Sequence, residues 1–466
     1  MLRDRYESDP RFWAIIEQLA IKMEPELAQI DKILADDELF QLIKNDLAQR
    51  HPHTMETGRN SIPVEVGLRM LAVKRLYQYP YRGTEHHVGD SLVLRWFCRV
   101  YFNPVPDHTT LNRFALEIKP ETLRTFNERV TKLATELKVT RGRKLRTDGT
   151  VVESNIAYPR DSKLLNDGVR VLSRVLKQAK VLVEDNAERD ATTFRDRTRS
   201  ARNQARQIAN YARQRSAKAK ASLTGAYQRL IKTTQASVKQ AQRVLSVLKS
   251  QSSRTAVRIG AELETFIPRV EQALDQTVRR VLQGKSVPAK EKILSLFEPH
   301  VTIIRRGKAG KETEFGHKVW LDEVDGGIIS QWRVLEGNPP DTEQWQPAID
   351  HHLNQFDKPP DLVSADRGVY SPVNEDYAHQ KGVKLVVLPK PGFKSQERRE
   401  YEAQTWFKRG RRFQAGVEGR ISVGKRKHGL AHCLDHGEDG FDKWVGWGII
   451  ANNLTVMGRN LAAKAV

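Results

Sequence analysis

The sequence predicts a mixed α/β core, preceded by an all-α region and interrupted once by a long basic helical insertion. Three observations carry this expectation. Short runs rich in Val, Ile and Thr alternate with helical runs in the second half of the chain. Residues 1–135 read as helical throughout. From about Asp161 to Leu296 the composition turns to Ala, Gln, Arg and Leu, which again favours helix.

The 466 residues allow two to four domains, at about 100–200 residues each, and 39 % hydrophobic residues supply a sizeable core. A net charge of +21 and a pI near 9.9 point to a polyanionic partner, nucleic acid before an anionic membrane surface. No apolar run approaches the ~18 residues of a membrane span. The opening "MLRDRYESDPRFW" contains no apolar stretch suited to a signal peptide. Two cysteines, Cys98 and Cys433, make no disulfide framework and suit a reducing cytoplasm.

In the N-terminal region, "PVEVGLRMLAVKRLYQY" (Pro63–Tyr79) predicts a helix with Ser61 as N-cap, Pro63 near its first turn and an apolar face of Leu68, Leu71, Leu76 and Tyr77. "DSLVLRWFCRVYF" and "VPDHTTLNRFALEI" are further apolar helical segments. In the latter, Asp107 or Thr109 caps a short helix carrying Asn112 and Arg113. Short helices joined by tight turns form either a helix-turn-helix-like DNA module or an ordinary helical bundle.

"GRKLRTDGTVVESNIAYP" (Gly142–Pro159) then changes period to that of a strand. In the helical stretch that follows, fifteen Lys/Arg and no Asp or Glu lie between Arg197 and Gly260. A solvated helix normally mixes signs, so one-signed charge over this length suggests nucleic-acid contact, with an oligomer-forming arm as the alternative. After Phe297, "FGHKVWLDEVDGGIISQWRVLEG" predicts two strands about the turn Asp325-Gly326-Gly327. "DTEQWQPAIDHHLNQF" is helical, with Asp341 or Thr342 as cap. "DLVSADRGVYSP" and "GVKLVVLPK" are buried-type strands. The region from about Gln396 to Arg426 is helical, and "WVGWGIIANNLTVMGRNLAAKAV" reads as a closing core helix.

Three acids stand out: Asp148 in the first strand, Asp366 at the end of the fourth, and Glu418, the one acid among eight Lys/Arg in "KRGRRFQAGVEGRISVGKRKHG". Singly, each suits a turn cap or a surface ion pair. Together they would repel one another unless a cation compensates, and hard oxygen donors suit Mg²⁺ or Mn²⁺. Two such ions can activate a nucleophile and stabilise the leaving oxygen of a phosphodiester.

The blocks carrying these acids resemble DDE-type bacterial insertion-sequence transposases, most nearly their ISNCY group. "PVEVGLRMLAVKRLY", "DSLVLRWFC" and "VPDHTTLNRF" resemble the InsH-type N-terminal domain. "TDGTVVESNIAYPRDSKLLNDGVRVL" resembles the block of the first Asp, "FEPHVTIIRRGKAGKETEFGHKVWL" and "SADRGVYSP" the next blocks, "RRFQAGVEGRISVGKRKHGL" the Glu helix, and "GFDKWVGWGIIANNL" the ending. The resemblance implies a ribonuclease-H-like catalytic core with a mixed five-stranded sheet. Its expected layout is a DNA-binding domain at 1–135, a core at 142–160 and 298–430, a basic insertion at 161–297, and a closing helix at 431–466. It implies that Asp148, Asp366 and Glu418 are the catalytic triad and hold two Mg²⁺ ions, with Mn²⁺ able to substitute. It further implies phosphodiester hydrolysis and 3′-OH strand transfer, with the element's terminal inverted repeats and target DNA as partners. The protein would act as a homodimer or higher oligomer on DNA, in the cytoplasm at the bacterial nucleoid.

Lys425, seven residues after Glu418, matches a basic residue that many such transposases carry, and would grip a phosphate about 10.5 Å along the helix. Arg411, Arg412 and Arg420 would face DNA phosphates, and Gly416 and Gly419 would let a DNA backbone approach. Gln414 stands where the family often has Arg, with Arg411 or Arg412 as substitutes. The extra helical sequence falls between the first Asp and the second strand, whereas several relatives carry it before the Glu. A non-catalytic DNA-binding descendant of a transposase, or a metal-dependent nuclease, are the alternative readings. "HCLDH" (His432–His436) has no matching ligand pair for zinc, and "RRGKAGKE" lacks phosphate-loop spacing. Trp320, Trp332 and Trp345 read as core, while Trp406 is a candidate for contact with an unpaired base.

Overall fold

The chain begins with eight helices: α1 (Pro10–Gln18), α2 (Pro25–Ile33), α3 (Asp37–Ala48), α4 (Val64–Leu76), α5 (Tyr81–Asp90), α6 (Leu92–Phe97), α7 (His108–Glu117) and α8 (Pro120–Glu136). The carboxylates of Asp9, Asp36 and Asp107 and the Ser91 hydroxyl accept first-turn N–H groups of α1, α3, α7 and α6, which fixes where those helices start. α4 differs from expectation. It begins after Pro63 with no side-chain cap, and Ser61 instead donates to the Ile62 carbonyl. Nor does α4 bury one face only: Val64, Val66 to Val73, Lys74 and Arg75 are all buried, while Tyr77 is exposed. A helix surrounded on every side reads poorly as amphipathic.

The next strand, β1 (Lys144–Ser154), is followed by helices α9 (Asp161–Glu184), α10 (Thr198–Tyr211), α11 (Ala217–Leu248) and α12 (Arg254–Thr277). Then come β2 (Thr302–Arg305), β3 (Thr313–Val324), β4 (Ile328–Leu335), α13 (Trp345–Phe356), β5 (Leu362–Ala365), α14 (Pro372–Gln380), β6 (Leu385–Val387), α15 (Gln396–Ala403), α16 (Thr405–Lys427), β7 (His432–Cys433) and α17 (Gly437–Lys464). This computed structural model describes residues 1–58, 60–184, 194–305 and 313–465. Most of "RRGKAGKE" (306–312) lies outside the described residues.

Among the described residues the sheet has seven strands, two more than expected, the additions being the short β2 and β7. Its main path runs β2-β3-β1-β5-β6, with β4 also paired to β3 and β7 to β1. β3 is antiparallel to both β1 and β4, whereas β5 and β6 run parallel to β1. The tight β3–β4 connection is the expected Asp325-Gly326-Gly327 turn, with both glycines at positive φ. A side chain at Gly326 would sit 2.2 Å from the Val139 carbonyl oxygen. The Asp325 carboxylate accepts N–H groups from Arg141, Arg143 and Lys144, tying this turn to the start of β1. The expected helical region from about Gln396 to Arg426 is two helices, divided where Gln404 is extended.

The chain divides into two compact units, 1–155 with 316–466, and 156–315. In the first, the N-terminal helices do not keep a core of their own. One hydrophobic cluster joins Leu39, Leu68 and Phe126 to sheet residues such as Leu145, Trp320 and Val363 and to Ile449 and Leu454 of α17. α17 therefore does more than close the sheet, since it packs against α2, α4, α8 and β4. Buried Asn127 and Asn453 hydrogen-bond each other and the Ile329 carbonyl, joining α8, α17 and β4 at one point. The second unit has a separate core, formed by α9 to α12 with Ile293 and Leu296. Of its fifteen basic residues between Arg197 and Gly260, all but half-buried Arg197 are exposed. Apolar burial thus orders the helices and leaves the one-signed charge outside.

Candidate active site

Parallel register between β1 and β5 brings the first two acids together. Thr147 pairs with Ala365, so Asp148 and Asp366 are the next residues on two neighbouring strands. β1 runs on past this point while β5 stops, and Asp366 opens a turn of 3₁₀ helix, Arg367–Val369. Asp148 is half-buried and its Oδ1 accepts the Gly149 N–H at 2.7 Å. Asp366 is exposed.

α16 brings the third acid. Its buried Gln414 donates from Nε2 to the Thr147 carbonyl at 3.1 Å and accepts at Oε1 from the Ser364 hydroxyl at 3.0 Å. One side chain thus grips both strands a residue or two before their acids. Glu418 is one turn further along the same helix face and is exposed. The Asp366 carboxyl is pushed above its ordinary value, first by partial burial, then by the charges of Glu418 and Asp341, while Arg367 and a hydrogen bond from Gln414 oppose the shift.

Asp341 is a member of this acidic group that sequence reasoning took only as a helix cap. It begins a 3₁₀ turn, Asp341–Gln344, ahead of α13. Its carboxylate is bound by the Lys318 ammonium, and its Oδ2 lies 3.4 Å from where a side chain at Gly368 would begin. No spacing signal reveals it, because the contact is set by how two short turns pack.

A buried ion-pair network supports α16 from below. Arg146 of β1 holds Glu323 of β3 through two hydrogen bonds, 2.9 and 2.7 Å, and also binds the Phe413 carbonyl of α16. Two sequence expectations change here. Arg420 does not stand with the outward-facing bases, because its guanidinium reaches Glu323 at 3.3 Å and Asn452 at 3.4 Å. Gly416 makes room for Arg146, whose Nη1 would lie 2.4 Å from an added Cβ, and not for a DNA backbone. Gly419 does have open space around it.

Arg411 and Arg412 are exposed on α16, and Asn112 and Arg113 are exposed on α7. Lys425 is half-buried in the last turns of α16. Trp320, Trp332 and Trp345 are fully buried, and Trp406 packs edge-on against Tyr401 and Phe407. Cys98 and Cys433 are buried and unbridged.

Among the described residues, no group of three or more His, Cys, Asp or Glu side chains is gathered closely enough to hold a metal ion. The chemistry of the acids nonetheless fits a hard cation. They supply oxygen donors only, the donor type a hard cation takes, and the Asp366 carboxyl is raised first by burial and then by the neighbouring Glu418 and Asp341. Among the described residues, no helix is long and apolar enough to cross a membrane.

Residues 16–116, which span most of α1 to α7, match the family described as Transposase domain (DUF772). The match covers α2 to α6 with most of α7 and the end of α1, and supports kinship with insertion-sequence transposases, proteins that act on DNA. Comparison with curated proteins and with solved structures returned no match.

Proposed function

We propose that this chain is a DDE transposase that binds the ends of its own insertion sequence and cuts and joins DNA with Asp148, Asp366 and Glu418. The observation that carries the reading is where acids from three distant segments fall in the fold. Two follow paired positions on adjacent parallel strands, and the third raises the proton affinity of the second. The sheet order supports it. Numbered within the core, β4-β3-β1-β5-β6 is three-two-one-four-five with the second strand antiparallel, the order of a ribonuclease-H-like sheet.

Asp148, Asp366 and Glu418 would hold two Mg²⁺ or Mn²⁺ ions, which when bound supply Lewis-acid activation of a water or a 3′-OH and stabilise the leaving oxygen. The remaining work falls to the chain itself. Gln414 fixes the height of Glu418 above the strand ends. Arg411, Arg412 and Lys425 would bind phosphates along α16, and Asn112 and Arg113 would read or position the terminal repeat from α7. The exposed bases of α10 to α12 would neutralise further phosphates.

The test is a cleavage and strand-transfer assay on the DNA flanking the gene, run with Mg²⁺ or Mn²⁺. Asp148→Asn, Asp366→Asn and Glu418→Gln should each lower cleavage by several orders of magnitude while binding to the terminal repeats persists. Robust cleavage by any one variant removes that residue from the triad. Binding without cleavage by the unaltered protein would leave a DNA-binding descendant of a transposase.

A further inference from the structure

Away from the three acids, the first unit contains two adjoining cavities of about 500 and 450 Å³. Both are lined by Lys74, Arg75, Tyr81, Leu434, Asp435 and Trp444. The larger continues to Asn112 and Leu116 of α7 and to Trp447, and the smaller continues to Lys425 near the end of α16.

Lys74 is the unusual group. It is more than nine-tenths buried, at 7 % exposure. Its ammonium lies over the rings of Tyr81 at 4.3 Å and Trp444 at 5.2 Å and, among the described residues, meets no carboxylate at ion-pair distance. Burial and the neighbouring Arg75 push it down to about 8. Arg75 binds the carbonyls of His428 and Trp444, but its buried Nε has no hydrogen-bond partner among the described residues. Lys443 enters the lining while donating to the Leu116 carbonyl at 3.0 Å. Asp435 is the one acid in either lining, against four Lys/Arg: Lys74, Arg75, Lys443 and Lys425. A cavity of this size with apolar walls and a few convergent polar groups has the form of a small-ligand site. Here the basic groups suit an anion, and Trp447, Leu71 and Leu116 offer an apolar wall beside it.

We infer that this cavity binds a single nucleotide unit, with its phosphate at Lys74 and its base against the Trp447–Leu116 wall. The unit can come from an unpaired DNA strand end or from a free mononucleotide. The pocket stands on its own residues and does not depend on the assignment of the catalytic acids.

The full-length protein is titrated by calorimetry with deoxyadenosine 5′-monophosphate, deoxyadenosine and inorganic phosphate. The monophosphate should bind at least about tenfold more tightly than either fragment. Lys74→Met should weaken it by about tenfold or more, and thermal melting establishes that the variant is folded. If Lys74→Met does not fold, Leu116→Trp decides, because Leu116 is 63 % exposed at the cavity wall and a larger ring there fills the space without entering the core. A second arm compares a blunt duplex with the same duplex bearing a short single-stranded tail. A preference for the tail that Leu116→Trp abolishes identifies a DNA end as the source, and equal affinity for the two duplexes alongside tight monophosphate binding identifies the free nucleotide. The inference is overturned if phosphate alone binds as well as the monophosphate, if folded Lys74→Met binds undiminished, or if neither monophosphate nor tail is recognised.

Discussion

The surroundings of Asp366 raise its carboxyl above the ordinary value, and that has a measurable consequence. Its carboxyl holds a proton more tightly in the folded protein than in the unfolded chain, because of burial and because Glu418 and Asp341 are near. The ionised form at neutral pH therefore opposes folding. The opposition fades as pH falls through the raised folded value and is gone below the ordinary value of 3.8. Asp366→Asn should consequently melt at the same or a higher temperature than the unaltered protein at pH 7, and the gap should narrow toward pH 4. Thermal melts across that range check it. A variant that melts well below the parent at pH 7 would show Asp366 to be a structural cap. Gain of stability together with loss of cleavage is the signature of a residue retained for chemistry.

At the scale of elements, α16 depends on β1 and β3 for its seat. Glu323 is 1 % exposed and faces Arg146 and Arg420. Glu323→Ala leaves two guanidinium groups at the sheet without their carboxylate, a change that costs about 3–5 kcal/mol. Denaturant titration should show that loss. Glu323→Leu with Arg146→Met should recover much of it, since an apolar pair of similar volume often replaces a buried ion pair at little cost. If Glu323→Ala is as stable as the parent, the network does not hold α16, and Gln414 alone sets the position of Glu418.

At the scale of the molecule, the boundaries of the insertion move. Sequence placed them at residues 161 and 297, but the second compact unit runs from 156 to 315. Glu153 and Gly316 are opposite each other across the β1–β3 ladder, so a short turn can close the strands there. Joining Asn155 to Gly316 through a Gly/Ser linker should therefore give a soluble protein with a cooperative melt, because loop closure costs little extra with length and the two units have separate cores. An insoluble or molten product would show that the first unit needs the second. The full chain, if it touches roughly 6–10 phosphates, should lose about 10³–10⁵ in DNA affinity between 50 and 200 mM salt, and the shortened chain should show a shallower slope. Equal slopes would mean that the fourteen exposed bases of the insertion face something other than DNA.

The sequence alone determined the alternation of the main strands and helices, the Asp-Gly-Gly turn, a cap at Asp107 or Thr109 and the basic stretch, because each is written in neighbouring residues through period, turn chemistry or charge. It also singled out Asp148, Asp366 and Glu418 by their placement in those elements. Register decided the rest. Only the β1–β5 pairing puts Asp148 beside Asp366, and only the packing of two short turns puts Asp341 near them. Arg420 and Gly416 looked like parts of a DNA-facing surface until the helix was seated and Arg146 and Glu323 appeared beneath it. The all-round burial of α4 escaped the pattern for the same reason, since a helix enclosed by α3, α5, α7 and α17 has no polar side to mark its orientation. Local rules act over a few residues, whereas these contacts join positions hundreds of residues apart, and only the folded chain brings them within reach of one another.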